Sequence, residues 1–182
     1  MSDGSLTARA WAAWRNPAAS WRAEAPGATE GRLLAFAFGA ALFLTLGRIG
    51  AEMIRPELAV GEERIAWFAA TVFIGFSFGA LSLYAVAAMI RIVSRLFGGE
   101  GGWRATRLAL FWSGLAAGPV ILIGYLIGAV IDGRALAGLC GAMLWGLIFA
   151  PMLAEAHGFS PRRVAIVSAG LFLIAASLTF IV

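Results

Sequence analysis

Residues 65–90 read IAWFAATVFIGFSFGALSLYAVAAMI, a run of 26 positions without one charged side chain. A helix rising 1.5 Å per residue needs roughly 20 residues to cross a hydrocarbon core about 30 Å thick, so this run is long enough to span a bilayer. Working outward from it, four more apolar stretches of 19 to 24 residues follow the same rule: Leu33–Ile54, Leu108–Ile131, Ala135–Ala154 and Val164–Val182. The composition agrees, with 61% hydrophobic and 13% charged residues against roughly 45–50% and 25% in soluble domains. The expectation is an all-α, polytopic integral membrane protein. Residues 33–182 form a bundle of five transmembrane helices, spanning about 33–54, 65–90, 108–131, 135–154 and 164–182, and residues 1–32 form a tail with short interfacial helices. At 182 residues there is no room for a separate soluble domain.

The net charge of +4 does not point to nucleic acid, because the 14 basic residues are all Arg and are distributed by loop. The tail holds Arg9, Arg15, Arg22 and Arg32, the second connection Arg91, Arg95, Arg104 and Arg107, and the fourth Arg162 and Arg163. The opposite side has Arg48, Arg55, Arg64 and Arg134, mixed with Glu52, Glu57, Glu62, Glu63 and Asp132. The positive-inside bias then predicts a cytoplasmic N-terminus and, after five crossings, a periplasmic C-terminus. Absence of Lys amid abundant Ala, Gly and Arg points to a GC-rich bacterial genome, hence a multi-pass protein of a bacterial inner membrane. The tail lacks the features of a cleaved secretory signal, so the first span is expected to remain uncleaved.

Within the tail, Trp11, Trp14 and Trp21 alternate with arginines, and Asn16-Pro17 predicts a helix start with Asn16 as cap. Tryptophan favours the headgroup region and arginine favours anionic lipid, so membrane lipids are the expected partner of this segment, with a soluble protein as the alternative. Small residues four apart, Gly75/Gly79, Gly114/Gly118 and Gly124/Gly128, together with Gly138, Gly141 and Gly146, predict close helix packing inside the bundle. Pro119 and Pro151 fall inside the third and fourth spans, where each removes a helix hydrogen bond and bends the chain.

Two connections are distinctive. Gly98-Gly99-Glu100-Gly101-Gly102 ends the second span and Trp103-Arg104 opens the third, with glycine supplying the left-handed cap conformation. His157-Gly158 ends the fourth span, and Ser160-Pro161 caps and starts the last. At these places the chain resembles the Yip1-domain family, in its bacterial members. The resemblance rests on Asn16-Pro17-Ala18-Ala19-Ser20-Trp21, Leu96-Phe97-Gly98-Gly99-Glu100-Gly101-Gly102 with Trp103 and Thr106, Gly118-Pro119, and His157-Gly158-Phe159-Ser160. It implies a five-helix membrane protein with a cytosolic N-terminal segment. Eukaryotic members of the family act in early secretory traffic and associate with Rab-type GTPases and with one another. The tail here is short and lacks their acidic, tyrosine-containing region. For bacterial members the resemblance implies no particular reaction.

Chemistry inside the spans is sparse. Arg48 and Glu52, four apart on one helix face, are the candidate intramembrane polar pair. Glu62-Glu63 is similar to the paired glutamates of intramembrane CAAX-type proteases, but Trp67 stands where that motif has Arg. Ser113 is far along the chain from His157, the sole histidine, and Cys140 has no neighbouring ligands for a metal. No catalytic residue, cofactor or metal site is therefore expected. Two readings remain. The preferred one is a non-catalytic interaction or organising protein whose cytoplasmic face, with candidate residues Gly98, Gly99, Gly101, Gly102, Trp103, Trp11, Trp14 and Trp21, engages a membrane protein, a second copy of itself, or lipid. The alternative is a small transporter or lipid-translocating protein that uses the kinks at Pro119 and Pro151 and polar groups such as Ser77, Ser82 and Tyr84.

Overall fold

The protein is described here by a computed structural model covering residues 4–56, 63–160 and Arg163. The described residues hold no strand. Two short helices come first. In α1 (Leu6–Arg15) the Ser5 hydroxyl accepts from the Ala8 amide at 3.3 Å, and in α2 (Pro17–Glu24) the Asn16 side chain accepts from Ala19 at 3.0 Å with Pro17 as first residue. That is the cap the sequence predicts. A turn at Ala25–Gly27 leads to α3 (Glu30–Ile54), capped by Thr29. Then come α4 (Glu63–Leu96), α5 (Trp103–Val130) and α6 (Arg134–His157).

Helices α3 to α6 are each long and apolar enough to cross a membrane, so four of the five expected spans are seen among the described residues. The fifth, Val164–Val182, lies outside them, as do Glu57, Glu62, Pro161 and Arg162. At 34 residues α4 outruns its expected span, reaching about 51 Å at 1.5 Å per residue. Arg91 and Arg95 therefore ride on the end of α4, and Arg104 and Arg107 on the start of α5. The connection between the two helices shrinks to Phe97–Gly102.

The helices run up and down, which creates two ends. One gathers the N-terminal segment, the 97–102 connection and His157; the other holds the turns after α3 and α5. Helix α5 is the central element, with α3 and α6 packed along it and α4 set mainly against α3. Glycine makes the α3 contacts possible. A Cβ on Gly114 would sit 3.2 Å from that of Ala40 and one on Gly79 3.1 Å from that of Ala41, while Gly118 lies against Phe43 and Gly75 against Thr45. In lipid there is no hydrophobic drive for helix to prefer helix, so such close backbone approach, with its dispersion contacts, is what holds the bundle together. Gly124, Gly138 and Gly146 meet no described atom within 4 Å.

Burial is uneven along the bundle. In α4 the buried residues Ala80, Leu83, Ala87, Ile90 and Ser94 all fall in its second half, and in α5 a nearly unbroken buried run covers Leu108–Gly114 and Ala116–Gly118. In α6 all buried residues but Gly141 lie at or beyond Ile148. Toward the end that carries the N-terminal segment, α5 is thus buried nearly all round, like a helix in the core of a soluble protein.

Helices α1 and α2 cause part of that packing, which corrects the picture of a tail with three outward anchors. Trp14 Nε1 donates to the Ala116 carbonyl at 3.0 Å and Trp21 Nε1 to the Ala105 carbonyl at 3.4 Å. Fully buried Trp112 donates to Ser20 Oγ at 2.9 Å, with the Arg9 guanidinium 5.2 Å from its ring centre. Ala116 lies ~20 Å along α5 from Trp103 at 1.5 Å per residue, so α1 and α2 form a hairpin set deep against the bundle. Of the three tail tryptophans only Trp11, 61% exposed, points outward. Pro119 also sits on an exposed surface of α5. Its ring leaves the Leu115 carbonyl without a helical donor, and Trp14 supplies an indole N–H to the neighbouring carbonyl.

Candidate functional site

The two distinctive connections meet. Helix α4 ends in a Schellman motif: Gly98 adopts φ +79°, its N–H bonds to the Arg95 carbonyl at 3.0 Å, and the Gly99 N–H reaches back to Ser94 at 2.8 Å. Helix α6 ends the same way, with Gly158 at φ +67° and the Phe159 N–H on the Ala154 carbonyl at 3.0 Å. Both turns need a residue free of the left-handed steric penalty, which is why glycine stands at each. The Glu100 N–H then donates to the His157 carbonyl at 3.2 Å, tying one helix end to the other.

His157 is the pin of this clasp. Its ring is 1% exposed and stacks on Phe159 with centroids 5.5 Å apart. The Thr106 hydroxyl lies 3.2 Å from the Gly102 carbonyl and 2.9 Å from His157 Nε2. A hydroxyl has one proton. With that proton on the Gly102 carbonyl, Nε2 carries the imidazole hydrogen and donates to Thr106, and Nδ1 is a bare acceptor. Nδ1 has no hydrogen-bond partner and faces glycine. A Cβ on Gly99 would lie 2.7 Å from Nδ1 and 2.9 Å from the Ser94 carbonyl; one on Gly101 would lie 2.5 Å from the Ala156 carbonyl and 2.7 Å from Nδ1. The loop can close over the ring only because both side chains are absent.

Around the clasp the charges fall into two groups. On the side of the N-terminal hairpin ion pairs join α1 to α2, α2 to α3 and α6, and α3 to α5. Buried Glu24 holds Arg9 at 2.6 Å and also Arg32, Glu30 takes Arg107 at 2.7 and 2.8 Å, and Glu155 takes Arg22 at 3.1 Å. On the side of the glycine loop Arg91 stacks 4.3 Å from the centre of the Trp103 ring, its Nε–H sealed from water without an acceptor, and Arg163 approaches Gly98. No acid forms an ion pair with Arg91, Arg95 or Arg163 among the described residues, while Arg104 lies within electrostatic range of Glu30.

The residues marked out by sequence therefore divide. Gly98, Gly99, Gly101, Gly102 and Trp103 come together at the clasp, with Trp21 nearby on Ala105. Trp11, Trp14 and Pro119 stand apart from it. The Arg48–Glu52 pair does not form. Arg48 is exposed, while Glu52, 1% exposed, meets Arg134 of α6 at 3.3 Å. Arg134 Nη2 also donates to the carbonyls of Ala51, at 3.3 Å, and Arg55. One guanidinium thus meets both the acid and carbonyls at the end of α3, which a residue one turn earlier in α3 cannot do. Ser113 is engaged too: it donates to the Leu110 carbonyl at 3.0 Å and accepts from Trp145 Nε1 at 2.9 Å.

Sequence reading passed over Glu24, Thr106 as a partner of His157, and Arg134. Glu24 alone carried a local signal, as the only acid between Ser5 and Thr29 in an arginine-rich segment.

The Yip1 domain family model matches residues 11–182. Neither the curated proteins nor the solved structures contain a match to the chain.

Proposed function

From the premise that the chain belongs to the Yip1-domain family, a generally non-enzymatic family of membrane proteins, we propose that it is a non-catalytic organising protein of a bacterial inner membrane. It docks a membrane-associated protein partner on the end of the bundle that holds the glycine clasp. That end faces the cytoplasm in this reading, and the arginine distribution along the sequence supports the orientation.

The observation that carries the proposal is the clasp itself. Two loops from different helix pairs are fixed to one buried histidine, and above them stand exposed Leu96, Phe97, Glu100, Gly102 and Trp103. Leu96 is 80% exposed and Phe97 51%. A surface of exposed apolar and polar groups on a preorganised backbone suits docking, because little ordering entropy remains to be lost on binding. Transport finds less support: Pro119 is exposed, and the Gly114 and Gly118 positions beside it are filled by α3.

A photo-crosslinking amino acid at Glu100, activated in native membranes, tests this. The expected result is a discrete protein adduct from position 100 and none from Val130 at the opposite end. The same adducts from both positions, or no protein adduct from position 100, overturns the docking surface.

A further inference from the structure

We infer that the glycine-loop side of this end binds the phosphate-bearing headgroup of an anionic lipid, between the end of α4 and the start of α5. The inference rests on the proposed placement of this end at the membrane surface, but it does not require a protein partner. Its basis is an imbalance of charge. Arg9, Arg22, Arg32 and Arg107 each have a glutamate, whereas Arg91, Arg95 and Arg163 at the same end form no ion pair among the described residues. Helices α4 and α5 bring these together: Arg95 follows Arg91 by one turn of α4, Arg91 lies over Trp103 at the start of α5, and Arg163 reaches Gly98 in the loop between.

The positive end of α5 adds to that potential. Gly102 caps α5 with no side-chain acceptor, the first turn contains no acid, and no described atom lies within 4 Å of a Cβ built on Gly102. The start of α5 thus lies beside the Arg91 guanidinium, whose Nε–H is cut off from water. Like potentials set side by side and poorly hydrated favour an anion with several acceptor oxygens. What selects a lipid over a free phosphate ester is the apolar border. Met89, Ile92 and Val93, exposed at 59%, 58% and 43%, precede Arg95 on the bilayer side of α4, where acyl chains would run beneath a headgroup held by the arginines.

The test is native mass spectrometry of the purified full chain released from micelles containing phosphatidylglycerol or phosphatidylcholine in equal amounts. Retention of phosphatidylglycerol over phosphatidylcholine is expected, with occupancy weakened about fivefold for each arginine removed in R91Q and R95Q. R22Q and R107Q, whose arginines are already paired, should retain lipid as the parent does. Glycerol 3-phosphate at the concentration of the lipid should leave occupancy unchanged. Equal retention of the two lipids, equal loss in all four variants, or displacement by glycerol 3-phosphate overturns the assignment. Because no protein partner is present, failure of docking in the crosslinking experiment and failure here are separately visible.

Discussion

Glycine 101 offers the sharpest test of the clasp, because replacement by alanine changes one methyl group and the structure gives its surroundings. The added Cβ would lie 2.5 Å from the Ala156 carbonyl oxygen and 2.7 Å from His157 Nδ1. Both are firm neighbours: one is helix backbone, the other a ring held by Thr106 and Phe159. The loop must retreat by several tenths of an ångström, which strains the Glu100 to His157 hydrogen bond. Overpacking of this kind costs about 1–3 kcal/mol. Gly102→Ala should do the reverse. Its backbone is extended and its surroundings are open, so restricting the unfolded chain leaves it unchanged or stabilised by about 0.4–1 kcal/mol. Gly98→Ala falls between, costing about 1 kcal/mol for its left-handed φ of +79°. The assay is the thermal midpoint in mild detergent, followed by loss of the monodisperse peak. A 1 kcal/mol loss lowers the midpoint by roughly 2–4 °C in a chain of this length. The expected order of loss is Gly101 first, then Gly98, with Gly102 at or above the parent. If Gly102→Ala falls as far as Gly101→Ala, or Gly101→Ala is neutral, the loop does not close on His157 as described.

Further expectations follow from single contacts. Thr106→Val keeps the shape but leaves buried His157 Nε2 without its hydrogen-bond partner, costing about 1–3 kcal/mol; Thr106→Ser should restore most of the midpoint. Glu24→Gln removes the anion shared by Arg9 and Arg32. Discounted for the partial exposure of both arginines, the loss is about 2 kcal/mol, and limited trypsin digestion should cut the N-terminal segment faster. Glu52→Gln should lower the midpoint, because it leaves Arg134 without its buried acid. Arg48→Gln should change it by less than about 0.5 kcal/mol, as an exposed position.

Much of the fold is legible in sequence because spans are written as length and hydropathy, which are local. The helix ends are legible for a similar reason: Asn16-Pro17, Gly98 and Gly158 announce caps that backbone sterics demand. What fails is whatever depends on distant partners. Trp14 and Trp21 have the composition of surface anchors, yet their N–H groups end on α5 carbonyls more than 80 residues away along the chain. Glu52 has an arginine at the local i−4 position and takes another, 82 residues on, because Arg134 also closes the end of α3. His157 looks like a residue of an ordinary turn. Only the return of α4 and α5 past α6 shows that the glycines of one connection are small to admit the ring of the other.

The proposed docking surface requires the clasp to face the cytoplasm. The most direct measurement is labelling of Glu100→Cys by a membrane-impermeant thiol reagent, in a Cys140→Ser background that removes the native thiol. Labelling in inside-out vesicles and protection in intact spheroplasts is the predicted result. Rapid labelling in intact spheroplasts would place the clasp outside and contradict the account.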